Sequence, residues 1–383
     1  MLLGATGFTG QLVAEVLART PGRVRWAIAG RDPIKLRDVK TSLVGISPDN
    51  GDVGCIEADT ADPASLRAMA EQARVVATTV GPYIEHGLPV VRAAVEAGAH
   101  YLDITGEPAF VKASRAQFDD AARAAGVRVV HCCGFDSIPA DLGALFTVMQ
   151  LPPGAPKRVR GYVKVRGTAS GGTWASLVDA LAGKRPEGAE PRPSRESAPR
   201  QARERGPLLH QPPDGVRGVA VPMPVIDPVL VARSARARPD VYGPDFEYQQ
   251  FLVVRSATRA ARLAAGVGAL WALSKTRPTR SLLRRWRPSG EGPSAAERAN
   301  GYFAVTFAGK AGDRRVLTRV SGGDPGYTET SRMFAHAAML LADASQPLPD
   351  AAGVLTPAVA FGEPGIAAMQ AAGLKFEVLA PPR

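Results

Sequence analysis

Short apolar runs alternate with amphipathic stretches through the first 140 residues of the chain. Apolar side chains recur at the helical spacing of three and four residues in 11–18, 87–97 and 110–125. The apolar runs between these stretches predict buried strands at 24–29, 54–58, 75–80, 100–103 and 127–133. Strands separated by helices of this length are typical of βαβ units. Residues 1–140 therefore predict an α/β domain with a parallel sheet of the Rossmann type.

Aspartate followed by proline occurs at two places where an apolar run gives way to a helical pattern, Asp32 and Asp62. An aspartate can accept hydrogen bonds from the first free amides of a helix, and a proline at the next position has the backbone angle that a helix needs. Both pairs therefore predict helix starts. Gly98 and Gly126 stand where two later helices are predicted to end.

The pattern changes after residue 140. Alternating apolar and polar residues at 159–165 predict a half-buried strand with one basic face, and 302–307 with 316–320 predict a hairpin joined by a long loop over 309–314. A helical spacing covers 329–342. These features predict that residues 141–383 form an α+β substrate domain against the carboxyl edge of the parallel sheet.

Two segments of this second half have unusual compositions. Residues 183–207 are rich in proline, arginine and glutamate and almost without apolar side chains, which predicts an exposed, mobile loop. Residues 251–287 combine apolar residues at near-helical spacing with nine cations and no carboxylate. We expect a helical segment that lies on an anionic membrane surface or docks on an acidic protein. The alternative is a core helix with a basic outer face.

The formal net charge of +11 favours an anionic partner. An arginine-rich composition explains part of this charge as an alternative. Nucleic acid is not expected, because the chain has no zinc-finger spacing and no aromatic RNA-binding motif. The three cysteines form neither a disulfide framework nor a metal-binding pattern. We therefore expect no metal site. Because no signal-peptide pattern or long apolar run is present, we expect a cytoplasmic protein. If 251–287 binds lipid, the protein would be held at the inner face of the plasma membrane.

The chain begins with a glycine-rich loop directly after a short apolar run. Its residues are Gly4, Ala5, Thr6, Gly7, Phe8, Thr9 and Gly10, followed at once by an amphipathic helix. Glycines at this spacing allow a tight turn and let backbone amides approach a pyrophosphate at the start of the helix. The absence of a following Gly-Lys-Ser/Thr excludes a P-loop, so the loop predicts a dinucleotide.

Arg31, at the end of the second predicted strand, indicates which dinucleotide binds. An NAD site usually has a carboxylate here for the ribose hydroxyls, whereas an arginine can pair with a 2′-phosphate. The neighbouring Asp32 is better explained as a helix cap. We therefore expect NADP, with a solvated loop arginine as the alternative for Arg31.

Several motifs in fixed order resemble the saccharopine dehydrogenase-like NADP-binding family, and within it the trans-acting enoyl reductases. They are the glycine loop, Ala29-Gly30-Arg31, Val80-Gly81-Pro82-Tyr83, Tyr101-Leu102-Asp103-Ile104-Thr105-Gly106-Glu107 and Gly134-Phe135-Asp136-Ser137-Ile138-Pro139. The resemblance is strong over 1–143 and patchy beyond, with echoes at 291–293, 297–301 and 353–358. Only three residues precede Gly4, so the first strand is expected to be short or to begin upstream of this sequence.

The resemblance implies an NADPH-dependent reductase of polyketide or fatty-acyl chains in lipid biosynthesis, with the chain presented by a carrier protein or a polyketide synthase. Val80, Gly81 and Pro82 are expected beside the nicotinamide, because ligands gather at the carboxyl ends of parallel strands. The candidate catalytic residues in the same region are Tyr83, Asp136 and Ser137.

Structural roles are the alternative for some of these residues. Tyr83 is explained equally well as a packing residue, and Asp136 as a cap of the following helix. We expect structural roles for Asp103 and Glu107. Two further functions stay open, a dehydrogenase of polar, amino-acid-like substrates and a non-catalytic NADP-binding scaffold.

Overall fold

In the computed structural model, the chain forms two β-sheets with helices around them. The structure describes residues 1–20, 24–167, 210–213, 216–223, 225–276, 278–279, 282–283 and 292–379. The segment 183–207, for which the sequence predicts a mobile loop, lies outside the described residues. The α/β class is confirmed, with a parallel sheet and a second, mixed sheet.

The first sheet has seven parallel strands in the order β12-β6-β5-β4-β1-β2-β3. The strands are β1 Leu2–Leu3, β2 Ala27–Gly30, β3 Gly54–Glu57, β4 Val75–Thr78, β5 His100–Asp103, β6 Arg128–Val130 and β12 Gly353–Leu355. The short β1 is buried between β2 and β4, with which it pairs. Strand β12 comes from far along the chain, so the parallel sheet also uses residues from the range 141–383 predicted for the second domain.

Helices connect the strands of this sheet. They are α1 Phe8–Arg19, α2 Pro33–Ile46, α3 Pro63–Ala70, α4 Tyr83–Glu96 and α5 Pro108–Ala124, with a 3-10 turn at Pro48–Asp52. Both predicted helix starts are confirmed. The Asp32 carboxylate accepts hydrogen bonds from the amides of Ile34 and Lys35 at 3.0 and 3.1 Å, and Asp62 accepts one from Ala64 at 2.9 Å.

The second sheet has six strands in the order β13-β11-β10-β7-β9-β8. The strands are β7 Lys157–Arg166, β8 Val219–Pro222, β9 Phe246–Val254, β10 Tyr302–Ala311, β11 Arg314–Gly322 and β13 Lys375–Leu379. The predicted hairpin loop 309–314 is too long, because β10 and β11 stay paired as far as Ala311 and Arg314. Only Gly312 and Asp313 are left for the turn, and Gly312 adopts a positive φ of 56°.

One buried helix, α6 Ile138–Val148, follows the first six strands of the parallel sheet and packs on the second sheet. A Cβ built on its Gly143 would overlap the ring of Phe307 in β10, so glycine permits the close approach of helix and sheet. The other helices are α7 Asp227–Ala237, α8 Pro239–Tyr242, α9 Ala257–Ser274, α10 Ala295–Ala299, α11 Thr328–Ala342 and α12 Pro357–Ala371. The loop after β6 leads directly into α6. The strand therefore fixes one end of this loop and the buried helix fixes the other.

The basic segment 251–287 is not one helix. Residues 251–254 belong to β9, and the helix α9 runs from Ala257 to Ser274. The alternative of a core helix is wrong, because Ala260 and Ser274 are the only buried residues of α9. Residues 277, 280–281 and 284–291 lie outside the described part of the chain.

Candidate functional site

Four loops meet at the carboxyl edge of the parallel sheet, after β1, β4, β5 and β6. A Cβ on Gly4 would lie 2.7 Å from the Val80 side chain, so the first two loops touch. The amide of Tyr83 donates to the Glu107 carboxylate at 3.1 Å, which joins the second loop to the third. The structure therefore brings the predicted cofactor and catalytic loops together.

The glycines of the first loop have two different environments. Gly4 adopts a positive φ of 86°, and a Cβ on Gly10 would overlap the carbonyl oxygen of Gly4. Gly7 has an ordinary φ of −79°, and the nearest atom to a Cβ there would be the same oxygen at 3.4 Å. Packing within the protein therefore requires glycine at 4 and 10 but leaves space at Gly7, which is the space that a pyrophosphate would fill.

The start of α1 is open to an anion. Gly7 occupies the N-cap position, and within the described chain no side chain caps the helix and no acidic residue lies in its first turn. The free amides and the helix dipole favour negative charge there. Thr6 and Thr9 are partly exposed at this end, whereas Ala5 is buried. The loop therefore fits the phosphates of a dinucleotide.

Arg31 and Lys35 lie near the end of β2. Both side chains are exposed. Lys35 also lines a cleft of about 230 Å³ between α1 and α2, whose wall includes Thr6 of the glycine loop. Lys35 was not among the residues predicted from the sequence to bind the cofactor, although its position one helical turn after Arg31 is a usable signal. Two cations beside the end of β2 fit the 2′-phosphate of NADP.

Residues from the second half of the chain cover Phe8 at the start of α1. The Phe8 ring packs edge-on against Tyr327 at 5.0 Å, and the Arg298 guanidinium lies 5.6 Å from the ring centroid. A Cβ on Gly292 would overlap the same ring. The sequence alone does not show that these residues lie beside the glycine loop. Gly292 and Arg298 do belong to the weaker motifs at 291–293 and 297–301 that resemble the family.

Tyr83 is a packing residue in this structure. Its side chain is buried, its hydroxyl donates to the Thr78 carbonyl at 3.2 Å, and its ring stacks on Phe110 at 5.7 Å. Burial raises the pKa of the hydroxyl well above 10. The two oxygens of Glu107 accept from the amides of Tyr83 and Ile84, which supports the structural role expected for Glu107.

Asp136 lies partly buried in the loop after β6, next to Gly106 in the loop after β5. One of its oxygens would lie 2.8 Å from a Cβ on Gly106, and the carboxyl has no hydrogen bond to a described residue. It does not cap α6, because the N-cap is Ser137 and no side chain bonds there. Burial raises the pKa of Asp136. This carboxyl is therefore available to a ligand.

Ser137 is fully buried and its hydroxyl donates to Asp227 at 3.2 Å. The other oxygen of Asp227 accepts from the Gln250 amide, and Tyr248 donates to Gln250 at 2.7 Å. Burial raises the pKa of Asp227 to about 8, so this carboxyl is largely neutral at pH 7. No local pattern in the sequence marks Asp227, because its partners Ser137 and Gln250 come from distant parts of the chain.

Asp103, His131 and Ser114 form a buried chain of hydrogen bonds. His131 contacts Asp103 at 2.6 Å and Ser114 at 2.9 Å, the same order of groups as in a hydrolytic triad. All three side chains are at most 1% exposed, so a substrate does not reach them. The network ties β5 to β6 and α5, as expected for a structural Asp103. The described residues contain no cluster of side chains that could hold a metal ion.

Comparison with known proteins agrees with an NADP-binding domain at the start of the chain. The family described as the saccharopine dehydrogenase NADP binding domain matches residues 1–130. A Mycobacterium tuberculosis protein that carries the name trans-acting enoyl reductase provisionally is 36% identical, over 98% of this chain and 96% of its own. The trans-acting enoyl reductase of Mycobacterium ulcerans is 31% identical with the same coverage. A saccharopine dehydrogenase-like oxidoreductase of Pongo abelii is 30% identical over 99% of this chain and 96% of its own.

A solved structure shares the fold over the full length. Apo saccharopine dehydrogenase (L-Glu forming) from Saccharomyces cerevisiae has a TM-score of 0.54, 15% sequence identity and 99% coverage of both chains. Fold and glycine loop define an oxidoreductase with NADP as its cofactor. The chain belongs to the saccharopine dehydrogenase-like NADP-binding family, and its relatives include trans-acting enoyl reductases.

Proposed function

We propose that this protein is a trans-acting enoyl reductase, which saturates polyketide or fatty acyl chains in lipid biosynthesis. The observation that carries the proposal is similarity at 31–36% identity, over 98% of this chain, to proteins that bear this name. A substrate delivered as a thioester on a carrier protein or a polyketide synthase is part of the proposal, because an enzyme acting in trans must accept a chain built elsewhere.

The glycine loop and two nearby cations are proposed to bind the cofactor. The amides at the start of α1, after Gly7, would hold the pyrophosphate, because those of Gly4, Ala5 and Gly7 donate to carbonyls of the protein. Arg31 with Lys35 would pair with the 2′-phosphate. The loop Val80, Gly81 and Pro82 would border the nicotinamide, because it follows the strand next to β1. When bound, NADPH supplies the hydride that reduces the double bond. The protein must then supply a proton to the α-carbon and a donor for the thioester oxygen.

Asp136 is the proposed proton donor. It is partly exposed at the sheet edge, and its raised pKa keeps the carboxyl protonated to a higher pH than usual. The two residues before it lie against uncharged side chains, since Gly134 lies against Ile104 and Thr330, and Phe135 packs on Phe303 at 5.0 Å. Such walls suit an acyl chain better than a polar, amino-acid-like substrate.

Ser137 is proposed to position Asp136 and not to touch the substrate. Its hydroxyl is bound to Asp227, which holds the backbone of the loop against α7 and β9. Tyr83 has no free hydroxyl for an oxyanion, so its predicted catalytic role finds no support in the contacts of its side chain.

Oxidation of NADPH, followed by absorbance, tests the proposal with a panel of enoyl thioesters on coenzyme A and on carrier protein, and with saccharopine-type imines. We expect turnover of enoyl thioesters only. Asp136→Asn should lower kcat by about 100-fold or more with unchanged NADPH affinity, because general acid catalysis contributes about that factor. Asp120→Asn, an exposed change on α5, is the control and should keep full activity.

Two outcomes would contradict the proposal. Turnover of imines without turnover of enoyl thioesters would indicate a dehydrogenase of polar substrates. Tight NADPH binding without turnover of any substrate would indicate a non-catalytic scaffold.

A further inference from the structure

Helix α9 presents large apolar side chains to solvent. Of its 18 residues, only Ala260 and Ser274 are buried. Leu263, Val267 and Trp271 are 39%, 44% and 53% exposed. Single exposed apolar residues are common, but a continuous row on one helix usually marks an interaction surface.

These three side chains and the half-buried Leu270 form one row. Leu263, Val267, Leu270 and Trp271 stand at positions i, i+4, i+7 and i+8, which places them on one side of the helix. We call this row the α9 ridge. The opposite side carries small residues, including Ala261, Ala265, Gly268 and Ala272. Leu273 is exposed outside this row, so the ridge holds most but not all of the large apolar surface of α9.

Positive charge surrounds the ridge. The sequence has no acidic residue between Glu247 and Glu291 but nine basic residues. Four of these are described and all are exposed, Arg255, Arg259, Arg262 and Lys275. Arg259 and Arg262 form no ion pair with any residue that the structure describes, and Lys275 lies 4.8 Å from the Trp271 ring centroid. The charges of Arg259 and Arg262 are therefore not balanced within the described chain.

We propose that the α9 ridge docks on the surface of a lipid bilayer that contains anionic headgroups. An apolar row with a tryptophan and flanking arginines is the composition of helices that lie in the membrane interface. The ridge would enter the boundary between headgroups and acyl chains, while the cations pair with lipid phosphates. No helix in the described ranges is long and apolar enough to cross a membrane, so docking would be peripheral. This inference does not depend on the proposed reaction.

Co-sedimentation of the full-length protein with vesicles tests it. Vesicles of phosphatidylcholine alone are compared with vesicles that also contain phosphatidylglycerol, at low and at high salt. We expect binding to the anionic vesicles that weakens with salt, because headgroup attraction is screened. Brominated lipids should quench part of the tryptophan fluorescence of the wild-type protein, because Trp271 would lie near the acyl chains. The quenched fraction should be smaller in Trp271→Phe.

Matched variants separate charge from burial. Arg259→Glu with Arg262→Glu should weaken binding to anionic vesicles by about tenfold or more. Arg314→Glu with Arg315→Glu, at the exposed hairpin, changes the net charge equally and should have little effect. Val267→Glu should abolish the binding that remains at high salt. Val229→Glu, at a residue 58% exposed on α7, is its control.

Several results would overturn the proposal. These are equal binding to neutral and anionic vesicles, equal losses in the ridge variants and their controls, and no vesicle binding at all. Binding to a soluble acidic carrier protein without vesicle binding would assign the same surface to a protein partner and would also overturn it. Enoyl reductase activity in solution is measured separately, so failure of either proposal can be distinguished.

Discussion

The glycines of the cofactor loop are needed for different physical reasons. Gly4 adopts a positive φ, and Gly10 lies so close to the Gly4 carbonyl that a side chain does not fit. Gly7 has neither constraint. Sequence spacing identified all three positions, but only the contacts distinguish a glycine required by packing from one required by the ligand.

Gly7→Val should weaken NADPH binding by at least about tenfold while the melting temperature stays near that of the wild type. The valine side chain fits the protein but would occupy the space for the pyrophosphate. Calorimetric titration and thermal unfolding measure the two effects. Gly10→Ala is the contrasting variant and should lower the free energy of unfolding by about 1–3 kcal/mol through overpacking. Unchanged affinity in Gly7→Val would show that the loop is an ordinary turn.

Arg31→Asp should reduce the preference for NADPH over NADH by about 10- to 100-fold. Hydrogen bonds to a charged group contribute about 1.5–3 kcal/mol, and an aspartate would repel the 2′-phosphate. Lys35→Ala should give a smaller loss in the same direction. Fluorescence titration with both cofactors measures the ratio, with Arg37→Asp on the exposed side of α2 as the control. A preference that survives in Arg31→Asp contradicts the assignment.

At the scale of elements, a buried polar network fixes the loop after β6. Ser137 at the start of α6 donates to Asp227 in α7, which also binds Gln250 in β9. A neighbouring carboxyl, Asp141, accepts from Ser234 at 2.6 Å and from the Ala358 amide at 2.8 Å. These bonds join α6, α7, β9 and α12 around the candidate proton donor.

The network predicts a pH-dependent stability. Burial raises the pKa of Asp227 from 3.8 to about 8 in the folded protein. Between pH 3.8 and about pH 8, the Asp227 carboxyl is deprotonated in the unfolded chain but protonated in the folded protein. The contribution of Asp227 to the free energy of unfolding therefore decreases as the pH rises towards 8. Asp227→Asn removes this titration. The free energy of unfolding of the variant relative to the wild type should rise by about 2 kcal/mol from pH 6 to pH 8.

Denaturant unfolding of both proteins across this pH range measures the difference, and other titrating groups cancel in the comparison. Asp120→Asn, on the exposed side of α5, serves as the control and should give curves parallel to the wild type. If the Asp227→Asn curves also run parallel to the wild type, the raised pKa is wrong.

At the scale of the whole molecule, distant parts of the chain complete the first sheet and cover its cofactor loop. Strand β12 pairs with β6, and the Arg128 side chain donates to the Pro349 carbonyl at 2.6 Å. Tyr327 and Arg298 contact Phe8 at the start of α1. A division of the chain at residue 140 therefore describes the order of the main elements but not the composition of the parallel sheet.

The sequence by itself determined the local features of this protein. Hydrophobic periodicity predicts the parallel sheet. Motifs of a few residues predict the Asp32 and Asp62 helix caps, the glycine loop and the cofactor NADP. The tertiary structure alone decided which side chains are free to act. Tyr83 packs on Phe110 and Ser137 is bound to Asp227, whereas Asp136 is open to a ligand and the α9 ridge to solvent. The physical reason is that burial and hydrogen bonding depend on partners far away in the chain, which a local pattern does not encode.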